Sequence, residues 1–277
     1  MKHFRAPFFD YLLRRFELRD EEALAAFGRH VHWGYWPDPS AADGSTADFV
    51  AAADRMCRRM HEAAPIADGT AVLDVGCGFG GTLALLDRTY HDMTLIGLNV
   101  DHRQLSRARA LLPPSDRNRV RLVEGDACRL PFRSGAFDTV LSVEAVFYYP
   151  SRRAFFREAR RVLRPGGRLV LSDFVPPATL RSLTRFGSRF ARPVVAAGWA
   201  DIDNTWTVDD YIALARDSAL TFCAAEDVTA ETQPSYAVVR RIIRRDSPWL
   251  LRVAAAMADW TARAGMMRYV LLTFEAR

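Results

Sequence analysis

The sequence predicts a doubly wound, mostly parallel α/β domain, preceded by a helical segment and carrying an insertion before its last strands. Three observations predict it. The run Ala71-Val-Leu-Asp-Val-Gly-Cys-Gly-Phe-Gly-Gly-Thr82 is an apolar strand that breaks into a glycine loop and then a helical pattern, the opening of a nucleotide-binding unit. From there to residue 175, short apolar runs alternate with helix-period stretches. At 277 residues the chain is long enough for one large α/β domain with an added cap or lid. Glycine at 76, 78, 80 and 81 lets backbone pass close to a ligand where a Cβ would collide.

Composition narrows the function classes. Apolar residues make up 49% and charged residues 26%, the balance of an ordinary soluble globular protein. No apolar run approaches the ~20 residues of a membrane span. The opening Met1 to Asp10 reads as no signal peptide, because a charge interrupts each apolar patch. The net charge of +5 comes from scattered arginines, with no basic and aromatic stripe of the kind nucleic-acid binding needs. Cysteines 57, 77, 128 and 223 form no Cys-x-x-Cys pair, which argues against a zinc site or a disulfide framework and suits a reducing cytoplasm.

Before the glycine stretch, residues 8–16 and 20–27 space apolar residues by three and four and predict two amphipathic helices, the second N-capped by Asp20. His30-Val-His-Trp-Gly-Tyr-Trp36 follows, ended by Pro37 and Pro39. This aromatic loop is either wedged onto the core by its rings or a flap that lays them against a ligand, with Tyr35 among the ligand-facing candidates. A helix is expected over 47–64, and 65–69 connects it to the first strand.

Past the glycine loop, the second strand is Thr94 to Leu98, ending at Asn99. A nucleoside-binding fold grips ribose hydroxyls at that point, usually with an acid. Asn99 offers an uncharged carbonyl acceptor, and Gln104 lies at the start of the helix 103–112. The third strand, 120–124, runs into Gly125-Asp-Ala127, where Asp126 is placed to accept from an exocyclic amine such as adenine N6. The fourth, 137–143, is nearly continuously apolar, as a sheet covered on both faces requires. A helix over 152–163 stops at Pro165-Gly-Gly167, and 168–173 is the fifth strand.

Together Leu73-Asp-Val-Gly-Cys-Gly-Phe-Gly80, Gly125-Asp-Ala127, Phe137-Asp138 and Arg161-Val-Leu-Arg-Pro-Gly-Gly167 resemble the class I S-adenosylmethionine-dependent methyltransferases over residues 69–175. A nicotinamide dehydrogenase would normally lack Asp74 directly before the loop and the Arg-Pro-Gly-Gly turn. The resemblance implies a Rossmann-like fold with a seven-stranded sheet and S-adenosylmethionine as cofactor. It implies that Asp74 orients the loop and receives the cofactor's amino group, and that Gly76 and Gly78 admit its methionine part. By the same resemblance Asn99 holds ribose, Asp126 and Ala127 meet adenine, and backbone near Val143 lines the pocket. Gly97-Leu-Asn-Val-Asp-His-Arg-Gln104 is more similar to the branch of cyclopropane-fatty-acid synthases and sterol and tocopherol methyltransferases, which adds Gln104 to the cofactor residues.

In many O-methyltransferases of this kind the segment after the fourth strand reads Glu-x-x-x-His, the His being the base. Here it reads Glu144-Ala-Val-Phe-Tyr148. A phenol with a pKa near 10 is a poor base at neutral pH. Either Tyr148 orients the acceptor while His32 or His30 takes the proton, or the acceptor needs little base, or the protein binds the cofactor for other chemistry. Glu144 either caps backbone or steers the acceptor. No metal-ligand set is legible, since His3, His61, His91 and His102 lie far apart and read as surface or structural residues; the expected mechanism uses no metal.

In the remaining chain, apolar residues between 178 and 199 and a helix from Thr207 fall where the family carries its variable substrate cap, around 176–206. Phe186, Phe190, Trp199 and Trp206 are candidates for an apolar acceptor pocket. Residues 221–229 and 267–274 are the sixth and seventh strands, which the family pairs antiparallel, with helices over 236–245 and 249–263 between them. The Arg240-Arg-Ile-Ile-Arg-Arg245 face is either a solvated helix face or a contact for anionic lipid or an acidic partner. The expectation is thus a helical lid over 1–68 and a cofactor-binding methyltransferase domain over 69–277. It would methylate a small, rather apolar natural-product or lipid-like acceptor, through oxygen first and through carbon or nitrogen otherwise. A cofactor-bound cyclase or binding protein without methyl transfer is the rival, and RNA methylation would need a basic groove that the sequence does not display.

Overall fold

The computed structural model describes residues 6–112, 114–243 and 247–277, so His3, Arg244 and Arg245 lie outside the described residues. Three helices come first: α1 (Pro7–Glu17), α2 (Glu21–Phe27) and α3 (Thr46–Glu62). Asp20 caps α2 by accepting from the N–H groups of Glu22 and Ala23, and Ser45 caps α3 through Asp48 N. The α/β region then runs β1 (Ala71–Val75), α4 (Gly81–Thr89), β2 (Thr94–Asn99), α5 (His102–Leu111), β3 (Arg119–Glu124), β4 (Phe137–Ser142), α6 (Arg152–Val162) and β5 (Leu163–Val175). The last part holds α7 (Arg181–Gly198), α8 (Val208–Asp217), β6 (Leu220–Asp227), α9 (Thr229–Thr232), α10 (Pro234–Ile242), α11 (Trp249–Arg263) and β7 (Arg268–Ala276).

The strands form one seven-stranded sheet in the order β3-β2-β1-β4-β5-β7-β6. β1 to β5 are parallel, and β7 runs antiparallel between β5 and β6. Alternate strand residues feed two cores, as the twofold period of a strand requires. Val72, Leu95, Leu141, Val170 and Leu271 join the layer of α1 to α5, α10 and α11. Leu73, Ile96, Val140, Leu169 and Leu272 join the layer of α6 and α8. The strand order reverses between β1 and β4, so a crevice opens beyond their carboxyl ends.

Two local expectations shift. The sixth-helix pattern ends at Val162, one residue before the expected 163, and the Pro-Gly-Gly bend lies inside an extended β5. Pro165 has no N–H to give the sheet, and Gly166 sits at φ +77°, so the β4–β5 register breaks between Phe137 and Thr139. The cluster Arg240–Arg245 is only partly described; Arg240 pairs with Asp259, and Arg241 with Glu22 and the Gly44 carbonyl. No helix among the described residues is long and apolar enough to cross a membrane.

Candidate active site

A cavity of about 430 Å³ lies at the carboxyl ends of β1 to β4. Its floor is the glycine loop. Gly76, Gly78 and Gly80 take φ of +78°, +53° and +81°, a left-handed region that costs a side chain but not glycine. At Gly76 an added Cβ would fall 2.4 Å from the Cβ of Ala145 and 3.1 Å from the Tyr149 hydroxyl. Tyr149 fastens the two central strand ends: its hydroxyl donates to the Val75 carbonyl at 2.8 Å and lies 2.9 Å from Ser142 Oγ.

Of the residues predicted to hold the cofactor, Asp74, Gly76, Gly78, Asn99, Gln104, Asp126, Ala127 and Val143 all line this cavity. Burial raises the Asp74 carboxyl to about 7, with the Cys57 sulfur adding to the rise. Asn99 Nδ2 donates to Gln104 Oε1 at 3.1 Å, while Asn99 Oδ1 accepts from Asp101 N. The pair thus presents amide donors and carbonyl lone pairs without net charge. Asp126 accepts from Cys128 N with Oδ1 and lines the cavity with its carboxylate. These donor types fit a ribose, an adenine amine and an amino acid end, and the glycine floor is a cradle that a Cβ would fill.

Tyr35 falls outside the cavity. Gly34 is wedged between α3 and the Trp36 ring, where a Cβ would lie 2.6 Å from Ala52 Cβ. Beyond it the chain runs over the outer side of α3: Tyr35 N donates to the Ala52 carbonyl, Arg55 donates to the Tyr35 carbonyl, and the phenol stands among Glu231, Glu226 and Arg59. Trp36 N donates to the Glu231 carbonyl, and Trp36 Nε1 to Asp48 at 2.7 Å. So many ties make the aromatic loop a fixed wall. Its face still serves the site, with His30, Val31 and His32 on the first cavity.

A second cavity of about 1010 Å³ adjoins the first. Phe9, Val31, Glu144 and Tyr148 line both. Its walls come from α1 (Phe8), the loop (Trp33), Phe147, Phe174, α7, Tyr236 and the methionines 257, 266 and 267. Among the four predicted acceptor aromatics only Trp199 lines it, tilted against Phe8 and edge-on to Trp33. Phe186 and Phe190 are 62% and 72% exposed and do not line it; α7 contributes Leu183, Thr184, Gly187, Ser188, Ala191 and Val195, together with Arg185, Arg189 and Arg192. Trp206 lies over Tyr211 and the Arg152 guanidinium, its Nε1 on Asp203. That guanidinium belongs to a buried network with Asp173 at 3.2 Å and the Tyr211 hydroxyl at 2.7 Å.

Glu144 occupies the junction. It follows β4 at φ +47°, a left-handed conformation that strains a side-chain-bearing residue. Its N–H donates to Ser172 Oγ at 2.9 Å, and its Oε1 accepts from Trp33 N at 2.6 Å. Burial pushes the carboxyl up to about 7, although His32 pulls it down. Tyr148, whose ring meets Phe9 and Phe147, is pushed above the ordinary phenol value by burial and by Glu144, so it stays protonated. His32 has both ring nitrogens engaged, Nδ1 with the Trp33 carbonyl at 3.0 Å and Nε2 toward His30 and Cys57.

That last contact belongs to a cluster that spacing along the chain does not show. His30, His32 and Cys57 converge within 4.8 Å in the interior, although a loop and a helix carry them. His61, one turn beyond Cys57, is buried and held neutral, its pKa pushed down to about 4. His91 is exposed between Asp68 and Asp92. Sequence reasoning missed Arg29, Phe79, Thr82 and Tyr149 on the first cavity, and Phe8, Tyr236 and the methionines on the second.

Residues 73–171 match a family model described as a methyltransferase domain. The chain is 33% identical over 224 residues to Methyltransferase GfsG of Streptomyces halstedii, covering 79% of this chain and 76% of that one. It is 35% identical over 215 residues to the 27-O-demethylrifamycin SV methyltransferase of Amycolatopsis mediterranei (strain S699), covering 76% and 73%. Among solved structures, the [4+2]-cyclase SpnF shares the fold with a TM-score of 0.72 at 23% identity, over 95% of this chain and 94% of that one.

Proposed function

Because the chain belongs to the class I S-adenosylmethionine-dependent methyltransferases, we propose that it methylates a hydroxyl oxygen of a large, apolar natural-product or lipid-like acceptor held in the second cavity. The shared wall of the two cavities carries this reading: Glu144 and Tyr148 border both, so one carboxylate and one phenol stand where acceptor meets cofactor. A volume of about 1010 Å³ lies at the top of the range for small-molecule pockets, ~300–1,000 Å³. The similarity to the 27-O-demethylrifamycin SV methyltransferase supports oxygen as the methylated atom.

When bound, S-adenosylmethionine supplies an electrophilic methyl group on a positively charged sulfur. Asp74 and the glycine floor hold its amino acid end, Asn99 and Gln104 the ribose, Asp126 and Ala127 the adenine, with Val143 beside them. Tyr148 donates a hydrogen bond that orients the acceptor oxygen. Glu144, whose carboxylate accepts from Trp33 N and also hydrogen-bonds Tyr269, takes the hydroxyl proton, and its raised pKa matches it to a proton at neutral pH. The helices of residues 1–68 act as a lid wall and α7, within 176–206, as the acceptor cap. A methyl-labelled cofactor incubated with the protein and a panel of apolar hydroxylated acceptors tests the proposal, with carbon chemical shifts locating the new methyl. An O-methyl product supports it; a C- or N-methyl product, or persistent absence of labelled product, overturns it.

A further inference from the structure

Cys57 on α3 and the two loop histidines have no role in the transfer proposed above, yet all three are buried. His30, His32 and Cys57 are 4%, 5% and 0% exposed. Their facing atoms are close: His30 Nδ1 to His32 Nε2 is 3.1 Å, Cys57 Sγ to His32 Nε2 is 3.3 Å, and Cys57 Sγ to His30 Nδ1 is 3.6 Å.

The outer partners settle the tautomers. His30 Nε2 lies 2.8 Å from Asp54 Oδ1, and an ionised carboxylate only accepts, so that nitrogen carries the proton. His32 Nδ1 lies 3.0 Å from the Trp33 carbonyl, which also only accepts. The two rings therefore turn their inner nitrogens toward one point, where the sulfur adds a third ligand-type atom. Without an ion these three atoms share their inner protons in mutual hydrogen bonds. A cation serves all three. For tetrahedral zinc with Zn–N of about 2.0–2.1 Å and Zn–S of about 2.3 Å, the ligand-to-ligand edges are about 3.3 Å for N–N and about 3.5 Å for N–S. The observed edges lie within about 0.3 Å of these.

Two further features belong to such a site. The Asp54–His30 pair is the carboxylate–histidine arrangement that orients metal-bound imidazoles, with Arg29 and Arg88 each 3.7 Å from Asp54. Gly81 stands beside the centre, and a Cβ there would fall 2.4 Å from His30 Nδ1. Thr82 Oγ1, 3.5 Å from the sulfur, and the first cavity beyond it leave the fourth position to an oxygen donor.

We propose that His30, His32 and Cys57 bind one divalent cation of the zinc class, which rivets the aromatic loop to α3 behind the cofactor cavity. Two nitrogens and a thiolate select zinc or cobalt over magnesium or calcium. The test uses the full chain, stripped with chelator and titrated with Co²⁺ in the absence of cofactor. Uptake of one equivalent is expected, with the visible bands of a tetrahedral site and a near-ultraviolet sulfur-to-cobalt band that Zn²⁺ abolishes. Cys57→Ser should remove the sulfur band and weaken binding by at least ~10-fold. Asp54→Asn keeps all three ligands and guards against a Cys57 variant that fails to fold; it should weaken binding ~10-fold. No uptake by the wild-type chain overturns the proposal. So does an unchanged sulfur band in Cys57→Ser, which would assign it to Cys77, or unchanged affinity in Asp54→Asn.

Discussion

Replacing Glu144 with Gln isolates the proposed proton acceptor with little change of shape. The Gln carbonyl can keep the 2.6 Å hydrogen bond from Trp33 N, and the volume at the cavity junction is conserved. Only the ionisable oxygen is lost. Around it stand His32, Asp173, Tyr148, Tyr236 and Tyr269, all engaged within the fold or pushed up by burial, so none inherits the proton. Removing a general base lowers kcat by ~10²–10⁴-fold. With the carboxyl at about 7, the wild-type rate should rise with pH through neutrality and level off about one unit above, while the variant is flat. Stability should move the other way. A carboxyl raised from its ordinary 4.5 to about 7 keeps its proton longer when folded, so stability is fullest below about pH 4.5 and declines as pH rises through 7. At about 1.36 kcal/mol per pKa unit its share of the decline approaches ~3 kcal/mol, and Glu144→Gln should remove that share and leave the one from Asp74, also raised to about 7. Steady-state kinetics across pH, with urea unfolding on the same buffers, measure both. A variant that retains kcat within about threefold, or a wild-type rate flat through neutrality, refutes the assignment.

Three other outcomes are expected. Gly76→Ala forces a Cβ to 2.4 Å from Ala145 at a φ of +78°; cofactor affinity by calorimetry should fall at least ~10-fold and the fold lose ~1–2 kcal/mol. Gly187→Phe projects into the second cavity from a helix position where a Cβ meets nothing within 4 Å, so the chain should fold and bind cofactor normally while KM for large acceptors rises and small ones are spared. Arg152→Met leaves Asp173 buried without its guanidinium, and urea unfolding should register a loss of ~3–5 kcal/mol with cofactor contacts intact.

The cofactor cavity was legible in the sequence because local backbone geometry writes it there. A strand that must turn at positive φ uses glycine, and the acids and amides just past each parallel strand end are carried to one crevice by the strand order alone. The same logic fails where packing rather than backbone decides. The periodicity of α7 marks an apolar face through Leu183, Phe186 and Phe190, but periodicity does not say which side of a helix meets the cavity. Of that face only Leu183 lines the cavity, beside small residues such as Gly187, Ser188 and Ala191. Tyr35 belongs to the right loop, yet one close approach at Gly34 sends its ring over the far side of α3. Cys57 lies 25 residues from His32, and only the docking of the loop on α3 brings their atoms to 3.3 Å. Spacing along the chain carries no trace of that.

Glu144 explains why the aromatic loop and the catalytic end of the sheet are built as one object. A residue at φ +47° that also buries a carboxylate is destabilising twice over, by about 1–3 kcal/mol for the backbone alone. It persists where its surroundings over-determine it: Ser172 Oγ takes the N–H, Tyr269 donates to that same Ser172, and Trp33 N caps the carboxylate. Two of these partners come from β5 and β7, and the third comes from the loop that His30, His32 and Cys57 tie to α3. Loosening the loop would therefore free the Glu144 oxygen that Trp33 holds and relax the strained backbone together. If the cation rivets that loop, its removal should shift the pH–rate profile of an otherwise folded enzyme, because the carboxylate would lose the hydrogen bond that now favours its charged form. The sign is fixed: loss of the Trp33 donor raises the Glu144 pKa, so the stripped protein should need a higher pH to reach its plateau rate.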